Sequence, residues 1–213
     1  MNKYDWTSNI LLVSGCCLVS QIAVANSIQP AYVMQLQMVP ALCALDMNKA
    51  KKRKCLDGYA INVAGLYPKK TKQTCHTDSS AKLAPLQSRV LARVMPDEIE
   101  RQVLWRNVGG CVNLTASQYF RLIIRYSERL EVPPELLGIE RNRYIRLVDL
   151  RSNFLKLNRG LPAQGVQFEC RSFHGGHLLI GAKVCYDSHG KYMKCEQKIN
   201  DLCPQNITIK ASF

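Results

Sequence analysis

The sequence contains few histidines, tryptophans and acidic residues. Only four of its 213 residues are histidine and two are tryptophan, and 16 acidic residues stand against 29 lysines and arginines, for a net charge of +13. The scarcity of histidine leaves few side chains that can exchange protons near neutral pH. The shortage of acids produces a positive field that attracts polyanions, whether nucleic acid, anionic membrane or acidic glycan, and solubility alone is the alternative explanation.

Long apolar runs are also absent, because no uninterrupted apolar stretch reaches the ~18 residues that a transmembrane helix needs. A shorter apolar run, Ile10–Val19, precedes the Ala-x-Ala cleavage signal Ala23–Ala25. This order predicts a signal peptide over residues 1–25 and one exported domain over residues 26–213, periplasmic or secreted. Cys16 follows a short run that imitates a bacterial lipoprotein processing site, so lipid anchoring at Cys16 is a minor alternative.

The sequence has no CxxC pair, which weakens the case for a cysteine-based metal or redox site. Two of the ten cysteines lie in the predicted leader. The eight that remain are an even number in an exported chain, which predicts four disulfides formed in an oxidising compartment. Cys170, His174 and His177 are the only cluster that resembles metal ligands, and we expect no metal there because a disulfide accounts for Cys170 more simply. Eight cysteines allow 105 pairings, so counting alone leaves the connectivity open. The eight are Cys43, Cys55, Cys75, Cys111, Cys170, Cys185, Cys195 and Cys203.

Strands are predicted near both ends of the domain. Tyr32–Met38 alternates apolar and polar residues, which is typical of a half-buried strand, and a second strand is expected at Tyr59–Val63. The last fifty residues are expected to form a β-meander. Its three predicted strands are Val166–Cys170, Leu178–Tyr186 and Ile207–Ala211.

Helices are predicted in the middle of the chain, after a long polar loop over residues 69–87. Pro96 and Asp97 open a helix that runs through Trp105, since proline and acids suit a first turn. A stronger helix is expected over Ala116–Leu130, and another over residues 140–156. The last two of these predicted helices carry several arginines each. We interpret the arginine-bearing faces as exposed to solvent, with a binding surface as the alternative. Strands and helices without a regular βαβ repeat predict an α+β domain.

Four segments together resemble the ribonuclease T2 family. They are LQMVPALC (Leu36–Cys43), GLYP (Gly65–Pro68), WRNVGGC (Trp105–Cys111) followed by Tyr119 and Phe120, and VCYDSHGKYMKC (Val184–Cys195). Their order and spacing match that family over essentially the whole predicted domain. The resemblance implies a central antiparallel sheet flanked by helices. It also implies the disulfide pairs Cys75–Cys111, Cys170–Cys203 and Cys185–Cys195, with Cys43–Cys55 as the local pair.

The resemblance also implies a chemistry for which this chain lacks the residues. Members of the family use two histidines to move protons during RNA cleavage through a cyclic phosphate, and a Glu and a Lys stabilise the charged phosphorane. The first-motif histidine corresponds to Ala64, and the catalytic Glu, the Lys and the essential His of the second motif correspond to Leu104, Asn107 and Val108. None of these four side chains can transfer a proton or supply a charge.

We therefore expect the protein to be a catalytically inactive relative of this family, not an enzyme, without a cofactor and monomeric. In the first hypothesis the old cleft binds RNA or another polyanion, with bases on Tyr67 and Trp105 and phosphates on Lys69 and Lys70. A Trp105 buried under the sheet is at least as good an interpretation as an exposed one. In the second, the exported scaffold binds or inhibits a protein partner through an apolar patch. The third is an active or weakly active T2-type endoribonuclease, for which His76 is the best substitute base.

Overall fold

The computed structural model describes residues 31–46, 53–69, 74–138, 140–195 and 203–212. The predicted signal peptide, Cys16 and Lys70 lie outside these residues. Six α-helices and six β-strands occur within them. None of these helices has both the length and the apolar character that crossing a bilayer requires.

The elements alternate irregularly along the chain. The strands are β1 (Tyr32–Met38), β2 (Ile61–Pro68), β3 (Arg143–Arg146), β4 (Val166–Phe173), β5 (Gly176–Tyr186) and β6 (Asn206–Ile209). The helices are α1 (Val39–Leu45), α2 (Arg53–Leu56), α3 (Pro85–Ala92), α4 (Glu98–Val108), α5 (Ala116–Arg129) and α6 (Leu147–Leu157).

One sheet organises the molecule, in the strand order β2-β1-β5-β6-β3, with β4 also paired to β5. Strand β1 occupies the predicted residues, and its side chains alternate between buried and half-buried positions. Tyr32, Met34 and Leu36 point into the main core, whereas the residues between them lie on the opposite face. All strand pairs except β5–β6 are antiparallel. The α+β prediction with a central, largely antiparallel sheet is therefore confirmed.

The two central helices begin where capping residues predict. The Asp97 carboxylate accepts hydrogen bonds from the backbone N–H groups of Ile99 and Glu100, at 3.0 and 3.1 Å. Thr115 and Gln118 form a reciprocal capping box at the start of α5. These side chains satisfy backbone donors that a helix start leaves unpaired, so they fix where α4 and α5 begin.

Two predicted segments are wrong in part. The helix expected over residues 140–156 starts only at Leu147, because Arg143–Arg146 pairs with Asn206–Ile209 as an antiparallel strand. The β-meander is also wrong, since β6 pairs antiparallel with β3 and meets β5 in parallel at a single residue pair. In both cases pairing between segments about 60 residues apart decides the structure, and neither segment reveals it alone.

Two predicted element boundaries also differ from those in the structure. The second strand extends to Pro68, beyond the predicted end at Val63, and the predicted loop over residues 69–87 gives way to α3 at Pro85. Proline suits this first helical turn because its missing N–H would be unpaired there in any case.

Four disulfides link the pairs that the resemblance implies, namely Cys43–Cys55, Cys75–Cys111, Cys170–Cys203 and Cys185–Cys195. Cys43 and Cys55 also form a small apolar cluster with Val39, separate from the main core. Constraint of the unfolded chain by such crosslinks typically stabilises a fold by about 2–4 kcal/mol each. Disulfides in this number are typical of proteins that mature in an oxidising compartment.

Candidate functional site

Strand β2 carries the degenerate first motif and contains an irregularity at Ala64. Gly65 lies opposite Gln35 and Val63 lies opposite Leu36, so Ala64 has no partner on β1 and forms a bulge. A Cβ atom on Gly65 would lie 2.7 Å from the Leu104 side chain and 2.9 Å from the ring of Tyr67. Glycine is therefore required here for α4 and the Tyr67 ring to pack against the strand.

A pocket of about 370 Å³ opens beside Tyr67, and we call it the sheet-face pocket. Directly opposed residues of an antiparallel strand pair lie on the same face of the sheet. Val33 on β1 opposes Tyr67 on β2 and Cys185 on β5, so all three lie on one face. The pocket therefore lies on the face of the sheet opposite the main core. Its apolar walls include Val33, Pro68, Met193 and the Cys185–Cys195 disulfide.

Three lysines line this pocket, namely Lys69, Lys183 and Lys194, and among the residues that the structure describes its lining includes no carboxylate and no histidine. Lys183 forms a salt bridge with Glu169, which also accepts a hydrogen bond from the Gln35 side chain at 3.3 Å. The pocket therefore combines apolar walls with one lysine that a carboxylate neutralises, Lys183, and with Lys194, which forms no salt bridge within the described residues. Such a site suits a ligand with a flat apolar part and an anionic part.

Tyr67 is the aromatic side chain of the first motif and is 37% exposed. Burial raises the pKa of its hydroxyl above the ordinary value, and the charge of Glu100 raises it further. The phenol is therefore neutral at physiological pH, and its ring face is the part that a base could stack on.

The second motif lies on α4, and two of its three assigned positions belong to the core. Leu104 and Val108 are 4% and 3% exposed, whereas Asn107 is exposed to solvent. Ala64, across from α4 on β2, is half-buried. The four positions that the resemblance assigns to proton transfer and charge thus combine three apolar side chains with one amide.

Trp105 does not share a cavity wall with Tyr67. Its ring is 3% exposed, and its indole N–H donates to the carbonyl of Ser79 at 3.1 Å and lies 3.0 Å from the Ser79 hydroxyl. The ring also packs against Tyr119, with centroids 5.6 Å apart. Because its ring is buried and its N–H is hydrogen-bonded, Trp105 offers no surface for a base, so of the two interpretations the buried one describes this structure.

His76 lies with Trp105 in a different cavity of about 880 Å³, between α4 and the loop that precedes α3. Its side chain is 55% exposed, and Nε2 lies 3.1 Å from the Asp78 carboxylate. Among the described residues that line the two cavities, it is the one histidine. The lining of these cavities in the described residues therefore supplies one imidazole, and the reaction of the family needs two.

The cluster Cys170, His174 and His177, which resembles metal ligands in the sequence, does not form a metal site. Cys170 is bonded to Cys203, so its sulfur is not available as a thiolate. His177 lies opposite Ser172 in the β4–β5 hairpin, and His174 occupies its turn with a φ of 47°. Across the described ranges, no group of three or more His, Cys, Asp or Glu residues could hold a metal ion.

A buried ion pair lies beside the degenerate motifs. The Lys54 ammonium is 3% exposed and donates to both carboxylate oxygens of Glu100 at 2.9 Å and to the side-chain oxygen of Gln37 at 3.1 Å. These contacts join α2, α4 and β1. The three acceptors match the three donors of the ammonium, so the arrangement fits a structural role better than a reactive one.

Several pocket residues were not predicted from the sequence, notably Lys183, Lys194 and Gln167. Lys183 did have a signal, because it interrupts an apolar strand at a position whose neighbours, Ala182 and Val184, are fully buried. The two-residue period of a strand places such a lysine on the face opposite the core. Lys194 had no comparable signal, since the Cys185–Cys195 disulfide brings it to the pocket.

Solved structures of ribonucleases resemble this fold over most of the chain. Ribonuclease MC1 from bitter gourd seeds matches with a TM-score of 0.63 at 18% identity, covering 83% of this chain and 98% of that one. Japanese pear S3-RNase matches with a TM-score of 0.63 at 17% identity, covering 86% and 99%. RNase NT, solved in complex with 5′-AMP, matches with a TM-score of 0.64 at 16% identity, covering 86% and 98%.

No protein-family model and no curated protein matches the sequence. The structural neighbours are ribonucleases of the T2 family, so the chain has a ribonuclease T2-like fold. At these identities the similarity concerns the scaffold, and the site must be argued from the residues of this chain.

Proposed function

We propose that this chain is an exported ribonuclease T2-like protein that binds single-stranded RNA in the sheet-face pocket without cleaving it. The observation that supports this best is the composition of the pocket, in which the Tyr67 ring stands beside Lys69, Lys194 and the Glu169-paired Lys183, with no histidine and no carboxylate among the described lining residues. Stacking on an aromatic ring with lysines near the phosphates is the usual way in which proteins hold single-stranded nucleic acid.

Nucleotides have the two chemical parts that this pocket suits. A base supplies a flat face for Tyr67 and the apolar walls, and a phosphate supplies the charge for Lys69 or Lys194. The structural neighbours include complexes with nucleotides, among them RNase NT with 5′-AMP and RNase MC1 variants with 5′-UMP and 5′-GMP. These complexes support nucleic acid over other polyanions as the ligand of this scaffold.

The loss of cleavage follows from the side chains at the positions that the family uses. Ala64 and Val108 replace the two histidines, and neither can accept or donate a proton. Leu104 and Asn107 replace the Glu and the Lys that stabilise the phosphorane, and neither is charged. Each positioned acid or base typically contributes about 10²–10⁴-fold to rate, so the chain should hold RNA with turnover near background.

Fluorescence anisotropy with a labelled oligouridylate tests the binding proposal. Affinity should fall steeply between about 50 mM and about 200 mM salt. Tyr67→Ala should weaken binding about 5- to 150-fold, the range that one base–aromatic stack typically contributes, while Tyr67→Phe should retain affinity because it keeps the ring. Unchanged affinity in Tyr67→Ala, or no binding at low salt, would contradict the proposal.

A matched pair of lysine variants tests the electrostatic part. Lys194→Ala should weaken binding and reduce the slope of log affinity against log salt by about 0.7, the value for one phosphate contact on a single strand. Lys156→Ala removes an exposed lysine from α6, outside the pocket, and is the control for net charge. Equal effects of the two variants would show that binding depends on overall charge and not on this pocket.

A protein partner is the second candidate function, and one observation favours it. Ile99 and Val103 lie one turn apart on α4 and are 72% and 47% exposed, which forms a small apolar patch beside the degenerate second motif. The variant Ile99→Ser/Val103→Ser should then abolish a specific, stoichiometric complex isolated from the envelope of the producing cell, with RNA affinity unchanged. If the variant forms the same complex, this patch is not the interface.

A further inference from the structure

A row of directly opposed residues crosses four strands within the sheet-face pocket. Gln35 on β1 opposes Gly65 on β2 and Lys183 on β5. Lys183 in turn opposes Gln167 on β4. Gln35 lies two residues from Val33 on the same strand, so this row belongs to the face that carries Val33. The three side chains of the row that line the pocket are called the polar row, namely Gln35, Lys183 and Gln167.

The Tyr67 ring lies at one end of the polar row. A Cβ atom on Gly65 would lie 2.9 and 3.0 Å from two atoms of this ring, so the ring covers Gly65. Gly65 is the residue directly opposite Gln35, and the Cβ positions of directly opposed residues are about 4.5–5.5 Å apart. A base that stacks on Tyr67 therefore has an edge beside the Gln35 amide.

Glu169 fixes the orientation of the Gln35 amide. Its Oε2 accepts a hydrogen bond from Gln35 Nε2 at 3.3 Å, and its other oxygen forms a salt bridge with Lys183. A Cβ atom on Gly181 would lie 3.3 Å from the same Oε2, so glycine leaves the space that the carboxylate uses to reach Gln35. Because an ionised carboxylate only accepts, the nitrogen of the amide must face it. Within the residues that the structure describes, the Gln35 carbonyl oxygen then has no hydrogen-bond partner.

The polar row thus offers an acceptor beside donors. Gln35 has its carbonyl oxygen and a second N–H available, whereas the Lys183 ammonium only donates. Uracil matches this pattern, because its N3–H can donate to the carbonyl oxygen while the adjacent ring carbonyl accepts from Lys183. Cytosine has nearly the same size, but an exocyclic amino group stands where uracil has a carbonyl, and its N3 carries no hydrogen. In cytosine the amino group would face the ammonium and N3 would face the Gln35 oxygen, so both contacts would be lost.

The same contacts could serve the fold alone, since Glu169 also connects β4 to β1 and β5. Their position favours a role in binding, because Gln35 and Lys183 line the pocket that contains Tyr67. We infer that the polar row makes this pocket selective for bases with a ring N–H beside a carbonyl, uracil and guanine, over cytosine and adenine. In this inference Gln35 contacts the base edge, and Glu169 is a positioning residue that acts through Gln35.

The inference rests on the proposed function for RNA as the ligand, and oligonucleotides of matched size test it. Mature protein is titrated at low salt with labelled oligomers of uridine, cytidine and 3-methyluridine of equal length. The uridine oligomer should bind at least about 5-fold more tightly than the cytidine oligomer, the lower end of the discrimination that a good bidentate base contact supplies. The 3-methyluridine oligomer has no N3–H, so it should bind no more tightly than the cytidine oligomer. This comparison needs no variant and therefore does not depend on how a substitution affects folding.

Three variants assign the preference to side chains. Gln35→Leu should abolish the preference for uridine, and Gln102→Leu, at an exposed glutamine on α4 outside this pocket, should keep it. Glu169→Gln should reduce the preference, because an amide no longer fixes which atom of Gln35 faces it. Glu169→Gln should also raise the affinity for both oligomers, because Lys183 then lacks its carboxylate. A residue that only stabilises the sheet would change the unfolding temperature without changing the ratio of the two affinities.

The outcomes distinguish this inference from the proposed function. Equal affinity for uridine and cytidine oligomers, with binding that still depends on Tyr67, would overturn the inference and leave the proposed function standing. A preference for uridine that persists in Gln35→Leu, or that includes 3-methyluridine, would overturn it as well, since another group would then contact the base edge. An unchanged ratio in Glu169→Gln would remove the positioning role of Glu169. Absence of RNA binding by the unmodified protein would overturn the proposed function and this inference together.

Discussion

Removal of the charge on Glu100 should destabilise the protein through Lys54. The Lys54 ammonium is 3% exposed and donates to both oxygens of this carboxylate at 2.9 Å. In Glu100→Gln a neutral amide replaces the carboxylate, so the buried ammonium keeps one acceptor from that side chain and loses its opposite charge. No other carboxylate forms a salt bridge with Lys54 within the described part of the chain.

The size of this effect follows from the burial of the two partners. Breaking a buried ion pair from one side typically costs about 3–5 kcal/mol. Glu100 is 31% exposed, so solvent screening lowers the expected cost to about 2 kcal/mol. With a urea m-value of about 2 kcal/mol per M, the midpoint of equilibrium unfolding should fall by about 1 M.

A double variant shows whether the cost comes from the unpaired charge. Lys54→Met/Glu100→Gln removes both charges, and it should recover most of the stability that Glu100→Gln loses. Urea unfolding followed by far-ultraviolet circular dichroism, with all disulfides intact, gives the three free energies. A change under about 0.5 kcal/mol in Glu100→Gln, or a double variant no more stable than the single, would show that the buried Lys54 ammonium does not depend on Glu100.

Two further predictions use aromatic side chains. Trp105 is the only tryptophan after residue 25 and is buried against Ser79, so saturating RNA should leave its fluorescence unchanged; strong quenching would place a base on the ring. Burial raises the pKa of Tyr32 to about 12, above its ordinary value of 10.0. The neutral phenol therefore stabilises the fold fully below about pH 10, and this contribution is lost as the pH rises through about 12. Urea unfolding between pH 8 and pH 12 should show this fall, which Tyr32→Phe should reduce; an unchanged pH dependence in that variant would contradict the assignment.

The sequence predicts best those elements whose ends carry their own signals. Strand β1 has a clean two-residue alternation, and α4 and α5 begin at Asp97 and Thr115, whose side chains cap them. These signals are local, because each involves residues within one turn or a few positions along the strand. The four motif segments then supply the overall arrangement, which the structural neighbours share.

The parts that the sequence does not predict depend on contacts between distant segments. Arg143–Arg146 becomes a strand only because Asn206–Ile209 supplies its hydrogen-bond partners. The burial of Trp105 depends on the loop that carries Ser79, and the sheet-face pocket brings Lys69 together with Lys183 from a distant strand. The pattern around each of these residues is compatible with more than one environment, so the tertiary structure decides which one it occupies.

The four assigned positions have a further consequence for how the scaffold could change during evolution. Leu104 and Val108 are part of the main core, so they add apolar packing where charged residues would require solvation or ion pairs. Replacing Leu104 with Glu and Val108 with His would bury two polar groups that need hydrogen-bond or charge partners. The side chains that now enclose Leu104 and Val108 are apolar and cannot supply such partners. We therefore expect that these two substitutions alone destabilise the fold and do not restore cleavage.

Whether this protein binds RNA without cleaving it is tested most directly by a search for cleavage products under conditions in which RNA is bound. Purified mature protein is incubated with an end-labelled RNA from about pH 4 to about pH 8, and the products are examined for 2′,3′-cyclic phosphate ends. We expect RNA binding at low salt with no cyclic phosphate above a protein-free control. Robust formation of cyclic phosphate ends that is lost in His76→Ala would contradict it, because a substitute base would then be driving the reaction.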